Sequence, residues 1–415
     1  MNKTLIINAS QIATPQGFKS KKGLEMRDLL TIEDGAIYIE DGIIKDIGNT
    51  KTVVSKININ ECNVIDAAGK CILPGFVDSH THFIFGGYRE DEFVMRLEGA
   101  EYLDILNMGG GIQSTVKSTK NATFEELYNL GLERLDGMLT QGITTVEGKS
   151  GYGLDLECEL KQLKVMKELN NNEPVDIVST YLGAHAIPSE YKGRSLEYVD
   201  YMIKEVLPKV REESLAEFCD VFCEEGVFSI EESRKLLLEA QKLDFKTKIH
   251  ADEIIQLGGG ELSAEIGAVS ADHLLMVSDK GIKDISENDV VATLLPCTAF
   301  CLAKPYAPAR KIIDNGGAVA LASDFNPGSC FANSVPLMLA LAVIHMKMTI
   351  EEAIIGITLN GAAAIDKADS IGSIEIGKKA DIIILKYPSY KFLVYNTGTN
   401  IVEKVLKAGE VVYGI

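Results

Sequence analysis

The sequence predicts an α/β fold: a (β/α)8 TIM-like barrel whose chain ends combine into a small composite β-sandwich domain. Three observations carry this. The middle of the chain alternates apolar, β-branched runs with helical patterns, and eight such runs are present. Chemically versatile residues fall at or near the carboxyl ends of those runs, the rim on which a barrel assembles a site. Both chain ends carry short strand-like runs broken by Gly, Asp and Asn. A length of 415 residues suits one barrel-sized domain plus a smaller companion.

Residues 1–68 contain TLIINA, GAIYIEDGIIKDIG and NVIDAAG, which read as small antiparallel strands joined by turns. Residues 370–415 repeat the pattern with GSIEIGKKADIIIL, FLVY and EKVLKAGEVVYGI, so the two ends are expected to form one β domain. The barrel, residues 69–369, is built on FVDSHTH, ITTVEGK, VDIVSTYLGAH, CDVFCEEGVF, FKTKIHADE, SADHLLMV, VVATLLP and AVALASDF. One connecting helix opens on a capping box at Thr123 and Glu126, presents Leu127, Leu130, Leu135 and Leu139, and stops at Gly142. Alternation alone also fits a doubly wound open sheet. The positions of Asp78, His80, His82, Lys149, His185, Glu225, His250, Glu253, His273 and Asp324 at or near strand ends favour the barrel.

Hydrophobic residues make up 46% and charged residues 24%, within the range of soluble globular chains. A formal net charge of −19 argues against nucleic acid or an anionic membrane as partner. MNKTLIINAS turns polar too soon for a signal peptide, and no apolar run reaches the roughly 18 residues of a membrane span. Eight cysteines without a CxxC pair read as reduced, mostly buried thiols of a cytoplasmic protein.

On a strand, residues i and i+2 share a face, so His80 and His82 point the same way, into the barrel mouth. His250 and Asp324, each ending a later run, complete a candidate set of four ligands for one zinc or iron ion, with room for a water of lowered pKa. Glu253, three residues beyond His250, is placed to move a proton, and His273 to steady charge developing on oxygen. Lys149 ends the second run rather than the fourth, where a lysine bridging two metals is expected, so a single-metal site is favoured and Lys149 reads as structural or as a charge lying behind the ligands. A bridging role for Glu224 or Glu225 at the fourth run stays open. His345 sits in an apolar helical stretch away from any strand end. The glycines of NMGGGI, 107–112, lack the Lys-Ser/Thr ending of a phosphate loop and read as a turn near the site.

Together these residues resemble the amidohydrolase superfamily, with HxH on the first strand, His on the fifth and sixth, and Asp on the eighth. Within it, HTHFIFGGYREDEF (80–93), EYLDILNMGGGIQSTVKST (101–119), TTVEGKSGYGL (144–154), YLGAHAIP (181–188), HADE (250–253), ADHL (272–275) and SDFNPGS (323–329) are similar to the imidazolonepropionase family. The resemblance implies metal-dependent hydrolysis of the ring amide of 4-imidazolone-5-propanoate to N-formimidoyl-L-glutamate, in histidine degradation, by a homodimer. It implies His80, His82, His250 and Asp324 as metal ligands and Glu253, His273 and Asp324 as catalytic groups. It also implies Arg89, Tyr102, Tyr152, His185, Glu253, Asn326, Gly328 and Ser329 around the substrate, with the Arg89 fork suited to the propionate carboxylate. Lys120 departs from the arginine that family members often carry after TVKST. Two rival functions fit the same barrel: an aminohydrolase of a nucleobase-like heterocycle, which would release ammonia, and a non-catalytic scaffold that no longer binds metal.

Overall fold

The computed structural model describes residues 2–100, 108 and 110–414. Five strands open the chain: β1 (Lys3–Pro15), β2 (Leu29–Glu40), β3 (Ile43–Asn49), β4 (Asn63–Asp66) and β5 (Cys71–Pro74). Eight follow in the middle: β6 (Phe76–Thr81), β7 (Ile143–Lys149), β8 (Asp176–Ala184), β9 (Phe218–Cys223), β10 (Lys246–Ala251), β11 (Ser270–His273), β12 (Val291–Leu294) and β13 (Ala318–Leu321). Three close it: β14 (Ile382–Leu385), β15 (Val402–Lys407) and β16 (Glu410–Tyr413).

The strands β6 to β13 lie side by side in sequence order, every pairing parallel, and helices fill most of the connections between them. All eight predicted runs are strands of this barrel. Their composition explains why: β7, ITTVEGK, is buried at every position, as a parallel strand covered on both faces requires. The first and last strands meet through a parallel bridge between Thr81 and Phe325. Around it, the Asp324 N–H donates to the His80 carbonyl at 3.0 Å and the His82 N–H to the Phe325 carbonyl at 2.9 Å. The Asp78 carboxylate accepts from the Ser323 N–H at 2.9 Å and the Ser323 hydroxyl at 2.6 Å. The seam that closes the barrel thus also brings the first-strand histidines to the eighth-strand aspartate.

Both chain ends contribute to a second, mixed sheet in the order β16-β15-β14-β5-β1-β2-β3, with β4 on β1. Its core is aliphatic, with Ile6, Ile12, Ile37, Ile72, Ile382 and Leu406 buried together. The tight turn between β2 and β3 places Asp41 and Gly42 at positive φ, the left-handed pair that suits a two-residue hairpin. Lys407 ties the sheet to the barrel, donating to Asp381 at 2.6 Å, Asp176 at 2.8 Å and the Thr144 carbonyl at 3.0 Å.

Two segments read as strands differ. GSIEIG runs as irregular chain, and FLVY, Phe392–Tyr395, is a short helical turn. Phe392 stacks on Tyr387 at 4.6 Å and Leu393 is buried, so the one-sided burial of a turn replaces strand pairing there. The helix Phe124–Thr140 forms as expected, with both halves of its capping box made and Gly142 at φ +88° beyond its end. Replacing Thr123 by Ala should lower stability by about 1 kcal/mol through the lost cap, read as a lower urea midpoint at an unchanged slope. An unchanged midpoint would contradict the capping assignment.

Candidate metal centre and active site

The barrel rim gathers five of the six histidines. His80 and His82 on the first strand face His250 from the end of β10 and His273 from the end of β11. Ring centroids lie 4.5 Å apart for His80 and His250, 5.3 Å for His80 and His82, and 5.1 Å for His250 and His273. Asp324 closes the group, its Oδ1 standing 3.6 Å from His80 Nε2 and 3.5 Å from His82 Nε2. All five side chains are buried. Asp324 and His273 both adopt positive φ, +54° and +75°, a backbone state uncommon for residues other than glycine and found where a site demands it.

The donor set fits a metal ion. Among the described residues, His80 Nε2, His82 Nδ1 and both ring nitrogens of His250 and His273 are buried without a hydrogen-bond partner, an arrangement that costs free energy unless something takes up those groups. His80, His82 and Asp324 offer one ligand atom each within 4.8 Å of one another, as do His80, His250 and His273. Burial holds the imidazoles of His80, His82 and His273 well below their ordinary range, and neighbouring positive groups add to this, so they are neutral rings rather than cations. The Asp324 carboxyl is pushed up to about 6 by burial, opposed by a hydrogen bond from Thr298. The Thr298 hydroxyl donates to Asp324 Oδ2 at 2.7 Å, which leaves Oδ1 for the cage.

Glu253 lies beside this cluster with Oε1 3.6 Å from His273 Nδ1. Burial raises its carboxyl to about 8, with Asp324 and Glu224 adding. Glu224 is buried and accepts the N–H of Ile254 at 2.8 Å, pinning the loop that carries Glu253, while Glu225 is exposed. Neither joins a candidate metal-ligating group among the described residues.

His185 stacks on His82 at 4.9 Å and 16°, and Tyr152 sits 5.2 Å from His185 and 5.9 Å from His82, so an aromatic wall flanks the cage. The wall is set from below. The Glu159 carboxylate accepts the N–H groups of Gly151, Gly153 and Leu154 at 2.8–3.1 Å, and Gln162 accepts that of Tyr152. Gly151 is at φ +106°, and a Cβ there would lie 2.7 Å from the Leu182 carbonyl. Burial lowers the His185 imidazole to about 3, so it too is neutral.

Arg89, Gly328 and Ser329 line a cavity of about 460 Å³ with Tyr88, Phe331 and Cys330. Arg89 is not a free fork: Nε and Nη2 donate to Glu92 at 2.9 and 2.7 Å, and Nη1 packs against Gly328, where a Cβ would meet it at 2.2 Å. Asn326 turns inward, accepting the N–H groups of Gly328 and Ser329 at 2.8 Å each, and so shapes the loop. Lys120 pairs with Asp155 at 2.7 Å. Tyr102 lies outside the described residues. His345 is exposed and stacks on Tyr306, remote from the cage in its partners.

Of the buried charges beneath the histidines, the sequence pointed only to Lys149; Glu147, Asp220, Lys248 and Asp272 went unread. Asp272 Oδ2 is 2.6 Å from His80 Nδ1, Asp220 Oδ2 is 3.0 Å from His250 Nδ1, and Lys149, Lys248 and Glu147 connect the two carboxylates. One signal was present: Lys248 and His250 share a strand face in KTKIH, an ionic pattern at odds with an interior strand.

The chain matches the model of the Amidohydrolase family over residues 109–413. It is 60% identical to the imidazolonepropionase of Clostridium tetani over 409 residues, 99% of this chain and 98% of that one. It is 54% identical to the imidazolonepropionase of Phocaeicola vulgatus over 415 residues, all of both chains. Among solved structures it resembles an adenosine deaminase from Xanthomonas campestris with bound zinc (TM-score 0.71, 18% identity, 99% and 92% of the two chains). It also resembles guanine deaminase of E. coli (TM-score 0.72, 16% identity, 100% and 99%). At such low identity these structures bear on the fold, and they bear out the barrel with its accompanying sheet. The full-length matches settle the lineage: the chain belongs to the imidazolonepropionase family of the amidohydrolases.

Proposed function

We propose that the protein hydrolyses 4-imidazolone-5-propanoate to N-formimidoyl-L-glutamate, using one metal ion held by His80, His82, His250 and Asp324. The observation that carries this reading is the full-length identity of 54–60% to imidazolonepropionases, supported by two buried trios at the barrel rim, His80 with His82 and Asp324 and His80 with His250 and His273, that offer ligand atoms close together. Such an ion, when bound, makes a water nucleophilic near neutral pH and polarises a carbonyl. Three imidazoles and a carboxylate accept zinc and iron alike.

The chain's own residues supply the rest. Arg89 binds the propionate carboxylate, presenting Nη1 or yielding its bond to Glu92. Tyr152 and His185 hold the ring against the cage, their faces matching its planar shape. Glu253 accepts a proton from the attacking water and returns it to the ring nitrogen as the carbon–nitrogen bond breaks; a carboxyl whose affinity for protons is raised by burial suits both halves of that transfer. Asp324 is a second proton acceptor, and His273 steadies the oxygen of the tetrahedral species. One water is consumed, a carboxylate forms, and no ammonia leaves. Eight free thiols support a reducing, cytoplasmic setting, and the homodimer follows the family resemblance.

Removing a ligand by His250→Ala should abolish metal retention on gel filtration; stoichiometric metal in that variant would take His250 out of the cage. Arg89→Ala should raise KM for imidazolonepropionate by about tenfold or more, the worth of a charge-assisted hydrogen bond, with less effect on kcat. Unchanged KM and kcat would remove the anchor. The product of wild-type turnover should be formimidoylglutamate with no ammonia, whereas ammonia release from a nucleobase without turnover of imidazolonepropionate would establish the deaminase reading instead.

A further inference from the structure

Beneath the histidines, five charged side chains are enclosed with no solvent exposure: Glu147, Lys149, Asp220, Lys248 and Asp272. Lys149 donates to Glu147 at 2.8 Å and Asp220 at 2.7 Å and approaches Asp272 at 3.7 Å. Lys248 donates to Glu147 at 2.6 Å and the Ser79 carbonyl at 2.9 Å and approaches Asp272 at 3.5 Å. Asp272 in turn meets His80 Nδ1 and Asp220 meets His250 Nδ1, so each of two histidines rests on a carboxylate and both carboxylates rest on the lysines.

This arrangement is expensive as a stabilising device. The effective penalty for burying an ion is several kcal/mol even after relaxation, and apolar side chains of like volume commonly do as well or better. Its geometry serves the rim above it. An ionised carboxylate only accepts, so it keeps the proton on the Nδ1 that faces it and leaves the opposite Nε2 lone pair free for a metal. His80 Nε2 is buried without a partner among the described residues, and neither ring nitrogen of His250 makes a hydrogen bond, its Nδ1 lying 3.0 Å from Asp220 Oδ2 as an ion-pair contact. The charge count agrees: three carboxylates against two ammonium groups leave one negative charge, and Asp324 adds a second, the complement of a divalent ion.

We infer that Lys149 and Lys248 are positioning residues for the metal centre, holding Asp272 and Asp220 so that these fix the tautomers of His80 and His250 and set metal affinity. The inference rests on the single-metal reading of the site. Neither lysine touches substrate or the cage; each acts through a carboxylate and then a histidine.

The test is zinc affinity, by chelator competition on purified full-length protein, alongside the thermal midpoint of the metal-free form. Asp272→Asn and Asp220→Asn keep shape but no longer compel the tautomer, and each should bind zinc about 10–100-fold more weakly with a metal-free midpoint close to wild type. Lys248→Met should weaken zinc binding as well, and adding Glu147→Gln, which restores the charge count, should recover most of the loss. The two Asn variants decide the matter if Lys248→Met does not fold. Wild-type zinc affinity in both Asn variants, or affinity losses that merely track a collapsed metal-free midpoint, would overturn the inference. A wild-type protein that binds one zinc but leaves imidazolonepropionate intact would sink the proposed reaction and leave the positioning role standing. Failure of the wild type to bind metal would overturn both.

Discussion

The contact on which the site depends is the 2.6 Å hydrogen bond between His80 Nδ1 and Asp272 inside the barrel. His80 is wholly buried, belongs to all three candidate ligand trios among the described residues, and offers its carbonyl to the seam that joins the first strand to the eighth. Turning that ring over would remove a lone pair from the cage and strand a buried carboxylate, a penalty of order 1–3 kcal/mol or more for the charged group alone. Rotation of one imidazole is therefore coupled to the ionic floor below and to the closure of the barrel beside it. The donor atoms of the site are thus held by the protein's own contacts, which is what preorganised catalysis requires.

The upper and lower halves of the site obey different rules. Below, every charge is paired and enclosed. Above, the groups that the proposed reading assigns to the substrate are partly covered and held by neighbours on long side chains or loops rather than by an enclosed ionic floor: Arg89 is engaged by Glu92, and Ser329 belongs to a loop that Asn326 folds from within. Partners that can be exchanged suit residues that must bind and release a small acid, whereas fixed partners suit residues that hold a metal between turnovers. Between the halves, His185, Tyr152 and His82 form an aromatic face whose backbone is held by Glu159 and Gln162 at the start of the helix Leu156–Asn172.

Much of this was legible in the sequence, for a reason of periodicity. A strand repeats every two residues, so HTH fixes two imidazoles on one face, and the carboxyl ends of parallel strands converge, so His250, His273 and Asp324 can be gathered from distant segments. What lay hidden was pairing across strands. That Lys149 meets Asp220 across 71 positions, or that Lys248 meets Glu147 across 101, follows from barrel register and not from any local pattern. Arg89 could be read as a substrate anchor, but its bond to Glu92 depends on the helix Glu90–Leu97 starting one residue later. FLVY failed because apolar content alone does not separate a buried turn from a short strand. The lysine at the end of the second strand was placed correctly, and only its neighbours explain why it is there.

Metal K-edge X-ray absorption of the purified, metal-loaded protein tests the central claim most directly. The account predicts a single ion with outer-shell scattering from three imidazoles and, for zinc, nitrogen at about 2.0–2.1 Å with one carboxylate oxygen. A metal–metal vector near 3.5–4 Å, as in two-metal sites, or fewer than three imidazoles would contradict it.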